Sequence, residues 1–205
     1  MQFTTRQLTV CALLTALALV LGYLENLFPL AAVIPLPGVK LGLANIVSVF
    51  ALYALGAVPA MMILTARCIL GAVFAGNMNA LLYSLFGAFA AMGIMIPLSR
   101  TEYLSIYGVS VGGAAAHNCG QIAAAMLTLG NTAPLVYLPF LLILSLFTGA
   151  LTGLTAALLF RALRGSGMVE TWTQSGRAVE TTESAGAVEK PESGGDMEKE
   201  EDRHG

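Results

Sequence analysis

Aspartate is absent from the first 195 residues of this chain; Asp196 and Asp202, close to its end, are the only two. Without them the apolar part of the chain cannot build an aspartate-rich magnesium site for a diphosphate. Charge of either sign is scarce as well. Only 11% of the 205 residues are charged, against 57% hydrophobic, and a soluble domain of this size needs a far larger polar shell. Cysteine is limited to Cys11, Cys68 and Cys119, all inside apolar runs and without CxxC or Cys/His spacing. They read as small buried hydrophobes rather than metal or redox ligands. No GxxxxGK[ST], HExxH or GxSxG motif occurs. No catalytic residue, cofactor or metal is therefore expected, and any ATPase driving this protein would be a separate chain.

What is present falls into two unlike parts. Residues 1–164 carry six bases (Arg6, Lys40, Arg67, Arg100, Arg161, Arg164) against Glu25 and Glu102, a net of +4. Residues 165–205 carry ten acids against four bases, a net of −6. The first part is apolar enough to belong in lipid. The second is rich in Gly, Ser, Thr and Glu and reads as a disordered acidic cytoplasmic tail.

Residues 1–164 divide into six apolar segments, which makes the expected fold class all-α, a polytopic membrane bundle with six transmembrane helices. Their approximate limits are Gln7–Phe28, Leu41–Leu55, Pro59–Ala75, Asn79–Leu98, Leu104–Leu129 and Pro134–Leu163. The runs are continuous, without period-two alternation, and lipid requires every backbone amide to be satisfied within its own segment, so helices are indicated rather than a β-barrel. The first run lacks a clear small-x-small cleavage site and five more follow it, so it is read as a retained span. Small residues recur four apart at Ala12/Ala16, Gly108/Gly112 and Gly149/Gly153, a spacing that lets membrane helices approach closely. An even number of spans puts Arg6, Arg100, Arg161 and Arg164 on one face, which the excess of bases makes cytoplasmic, together with both termini.

The polar residues within the spans gather in the other half. Lys40 stands at the entrance of the second helix, with Asn45 a turn and a half further in. Arg67 lies roughly 12 Å into the third helix at 1.5 Å per residue, a depth at which a guanidinium must face the bundle interior or a wet cavity. Glu25, at the end of the first helix, is the acid available to it. His117 and Gln121 are i and i+4 on one face of the fifth helix, with Asn118 turned by about 100°. Lys40, Asn45, Arg67, His117, Asn118 and Gln121 are accordingly the candidate ligand-binding residues, for a small polar or anionic molecule arriving from outside.

At PGVKLGLANIV (residues 37–47) and AHNCGQ (residues 116–121) the sequence resembles a family of small bacterial membrane proteins, the heptaprenyl diphosphate synthase component I or Gx transporter family. The resemblance covers roughly residues 5–164. That family is similar to the substrate-binding S components of energy-coupling factor transporters, six-helix proteins that hold a vitamin-like ligand near the outer face. The likeness implies a transmembrane coupling subunit and ATPases as partners, a ligand beneath the loop between the first two helices, and Ala12 and Ala16 as an AxxxA partner contact. The synthase name implies a different role, a non-catalytic membrane partner of a prenyl synthase subunit in isoprenoid and quinone synthesis. A closed pocket would suit the transport role; an apolar groove open to the bilayer, with Arg67 or Lys40 at one end, would suit the isoprenoid role.

Overall fold

The computed structural model describes residues 5–27, 43–76, 78–101 and 103–164. They form six α-helices: α1 (Thr5–Leu27), α2 (Asn45–Leu55), α3 (Ala57–Ala75), α4 (Met78–Ser99), α5 (Ile106–Leu129) and α6 (Leu138–Arg164), with a 3-10 turn at Ala133–Tyr137 before α6. No strand occurs among the described residues. Four helical stretches are long and apolar enough to cross a membrane: Thr5–Glu25, Ala57–Ala75, Met78–Ser99 and Ala133–Ala162. The other two fall outside that class for separate reasons. With 11 residues, α2 is about 16 Å long and too short to span alone. The 24 residues of α5 are long enough, but they include Ser110, His117, Asn118, Gln121 and four glycines.

The helix ends have local causes. Gly76 (φ 61°) and Gly130 (φ 66°) end α3 and α5 in the left-handed conformation that glycine adopts without strain. Gly56 alone joins α2 to α3, at φ 92°. The Asn131 side chain accepts a 3.0 Å hydrogen bond from the Ala133 amide, and Pro134 opens the 3-10 turn. α2 begins four residues later than the hydrophobic pattern indicates. Leu43 and Ala44 form a turn, with the Ile46 amide donating to the Leu43 carbonyl at 3.0 Å. Asn45 is thus the first residue of α2 rather than a turn and a half inside it.

Short connections make neighbours antiparallel, and α5 packs between α4 and α6 while α3 packs against α1, α2 and α4. Glycines permit the close approach of α5 to its neighbours. A Cβ on Gly149 would lie 2.6 Å from Val111 Cα, and one on Gly153 would lie 3.1 Å from Tyr107 Cα. A Cβ on Gly120 would run into the Phe86 carbonyl of α4. Of the small-residue pairs in the sequence, Gly149 and Gly153 therefore serve helix packing, whereas Ala12 and Ala16 are exposed on the outer face of α1.

Burial separates the helices sharply. Nine of the 11 residues of α2 are buried, including Val47, Val49 and Phe50, and the Phe50 ring sits 4.9 Å from that of Phe160 on α6. A helix apolar on all sides and enclosed on nearly all of them is a core element. α1 instead turns Leu8, Leu13, Val20 and Tyr23 outward, each more than half exposed, and Phe74, Val136 and Phe147 are exposed by 77%, 79% and 71%. So much outward apolar surface would aggregate in water and is what a bilayer covers. The chain is a helical membrane protein. Of the cysteines, Cys68 is buried and Cys11 partly so, but Cys119 is exposed, which corrects the reading of all three as buried. Lys40, the loop that carries it and the acidic tail lie outside the described residues.

Candidate functional site

At the end of the bundle away from Arg6, Arg100 and Arg161, the ends of α1 and α3, the starts of α2 and α4 and the middle of α5 surround a cavity of about 240 Å³. Its origin is a matter of side-chain volume. α1 presents Ala18, Gly22 and Glu25 at spacings of four and three; α3 presents Arg67, Gly71 and Ala75; α4 presents Ala80 and Ser84. Residues so spaced share one helix face. Three facing stripes of Gly, Ala and Ser leave the space that larger residues would fill, and Tyr23 and Phe74 stand at its edge.

Into this small-walled space project the few polar groups of the bundle. Arg67 is the eleventh residue of α3, near its middle, and is partly buried. Its Nη2 donates to Oδ1 of Asn45 at 3.2 Å, across to the first residue of α2. Its Nε is buried with no hydrogen-bond partner among the described residues. A buried donor left so costs about 1–3 kcal/mol, more on a charged group, so this atom favours any acceptor that enters the cavity. Glu25, 5% exposed, lines the same cavity from α1. His117 (4% exposed) and Gln121 (fully buried) line it from α5.

The position of His117 and Gln121 is set from α4. A Cβ on Gly87 would lie 2.8 Å from His117 Cε1 and 3.0 Å from Gln121 Cγ. Only glycine leaves both side chains where they are, on the same face of α4 as Ala80 and Ser84.

The six sequence-derived candidates therefore part company. Arg67, His117 and Gln121 line one cavity, and Asn45 holds Arg67 at its edge. Asn118 is directed elsewhere: its Nδ2 donates to the Leu141 carbonyl of α6 at 2.9 Å, a buried tie between two helices. Lys40 is outside the described residues. Sequence reasoning missed Ser84, Tyr23 and Phe74 as lining and Gly87 as a spacer. The available signal was the run of small residues at helical spacing in α1, α3 and α4, which reads equally well as ordinary packing. The buried hydroxyls of Ser48, Tyr83 and Ser110 also lack partners among the described residues, and none of them lines the cavity.

Chemically, one guanidinium, one carboxyl, one imidazole and one carboxamide in a small enclosure can orient a polar molecule at several points. A family model described as heptaprenyl diphosphate synthase component I matches residues 14–159, and the chain belongs to that family. No curated protein and no solved structure matches it significantly.

Proposed function

We propose that this member of the heptaprenyl diphosphate synthase component I family is a membrane-embedded substrate-binding protein that takes up a small polar or anionic ligand from the outer face. The observation that carries the reading is the common cavity of Arg67, His117, Gln121 and Glu25 in the half of the bundle opposite Arg6, Arg100 and Arg161. Hydrocarbon excludes a guanidinium unless the fold shelters it, and here the shelter has room for a guest. Arg67 attracts the anionic group, Asn45 fixes the arginine, and His117 and Gln121 orient the remainder. Lys40, five positions before Asn45 in the sequence, adds a second positive charge, and Asn118 acts by holding α5 to α6.

In this reading six membrane passes leave both termini in the cytoplasm of a bacterial plasma membrane, with Arg6, Arg100, Arg161 and Arg164 on the inner side. Transport then depends on separate chains, as in energy-coupling factor systems: a transmembrane coupling subunit against the exposed Ala12–Ala16 face of α1, and ATPases beneath it. Mass spectrometry of the protein purified in mild detergent should find a co-purifying small molecule. Arg67→Ala and His117→Ala should both lose it while remaining folded, and its retention in both variants would remove the cavity as its site.

The second reading is a non-catalytic membrane subunit of heptaprenyl diphosphate synthase serving isoprenoid and quinone synthesis. It is favoured by the name of the matching family. It requires capture of a prenyl synthase subunit by the full-length chain, which the transport reading does not.

A further inference from the structure

A further concavity among the described residues lies on the outside of the bundle. An open groove of about 740 Å³ runs along α3 from Ala57 to Ile69, closed on its other side by Ile96 and headed by Arg100 at the end of α4. Its walls are apolar, and Val58, Met62 and Ile69 are each nearly half exposed. The one hydroxyl in the lining, on Thr65, is turned back to donate to the Met61 carbonyl at 2.9 Å, so it offers nothing polar to a guest. Arg100 is the single charge in the lining; it is exposed, with no side-chain partner among the described residues. It also sits at the end of the bundle that carries Arg6 and Arg161.

We propose that this groove is a binding site for one anionic phospholipid of the leaflet on that side, an acyl chain lying along α3 and the phosphate against Arg100. Two observations select this occupant. The twelve steps from Ala57 to Ile69 rise about 18 Å, close to half of the ~30 Å hydrocarbon core, which is the depth reached by a chain rooted in one leaflet. The charge at the head of the groove is positive and unmatched by any acid in the lining, which suits a phosphate without a compensating cation. A zwitterionic headgroup would bring its own ammonium to the same guanidinium.

The test uses the full-length protein in phosphatidylcholine vesicles containing a photoactivatable phosphatidylglycerol or, in parallel, a photoactivatable phosphatidylcholine. Labelling should map to Val58–Ile69 and Ile96 with a preference for phosphatidylglycerol of roughly fivefold, the selectivity one arginine near an anionic headgroup confers. Arg100→Gln should abolish the preference, Arg100→Lys should keep it, and Arg161→Gln should leave it unchanged. Filling the groove with Ala66→Phe should suppress labelling by both lipids while Arg100 is intact. Equal labelling by the two lipids, or equal loss in Arg161→Gln and Arg100→Gln, would overturn the proposal. So would displacement of the label by farnesyl diphosphate at concentrations where unlabelled phosphatidylglycerol has no effect, since the occupant would then be a prenyl diphosphate.

Discussion

Two arginines of this protein each stand beside a concavity, and almost everything around them differs. Arg67 is inside the bundle, bonded to Asn45 and sharing an enclosure of about 240 Å³ with a carboxyl, an imidazole and a carboxamide. Arg100 is outside, exposed, at the head of an open apolar groove of about 740 Å³. The contrast shows that a guanidinium in a membrane protein does not define its ligand. Enclosure and neighbouring polar groups turn one toward small polar molecules; an apolar trough at the interface turns the other toward amphiphiles.

The largest expected break in this contrast is Arg67→Ala. Removing charge-assisted hydrogen bonds worth about 1.5–3 kcal/mol should weaken retention of the cavity ligand roughly ten- to a hundredfold, measured by equilibrium binding of the co-purified molecule. Phospholipid selectivity at Arg100 should not change. Next comes Gly87→Ala. The added methyl would force His117 and Gln121 to move, and overpacking of this kind costs about 1–3 kcal/mol. A thermal-stability assay in detergent should register the loss, and ligand retention should fall with it, again without effect on the groove.

Arg100→Gln should do the reverse at smaller scale, removing about 1 kcal/mol of preference for anionic over zwitterionic lipid and leaving the cavity ligand in place. Asn118→Ala should have the smallest effect. Losing its interhelical bond to Leu141 should cost about 0.6 kcal/mol of stability, read as a lowered midpoint in detergent denaturation, with ligand binding intact. If Asn118→Ala instead abolished binding, the division between cavity-lining and helix-tying residues drawn from its geometry would be wrong.

Much of this was legible in the residues. The long apolar runs marked the helices to within a few positions, because lipid leaves the backbone no alternative to helix and glycine and proline mark where each helix stops. The i, i+4 relation of His117 and Gln121 put them on one face, and one cavity receives both. The Asn45–Arg67 contact was not legible, because 22 positions separate the two and only the packing of α2 on α3 closes the distance. Nor was the fate of Asn118. Its rotation from His117 was readable, but that the rotated face meets Leu141 of α6 depends on which helix lies there.

The sequence by itself determined that this protein lives in lipid, where its helices run and that a few polar residues must be sheltered, since hydropathy and helical period are local properties of the chain. Only the tertiary structure decided that α2 is a buried core element, that stripes of Gly, Ala and Ser on three helices face one another across empty space, and that the arginines meet different surroundings. Those outcomes depend on which faces are opposed, and a one-dimensional pattern of residues carries no record of its neighbours in space.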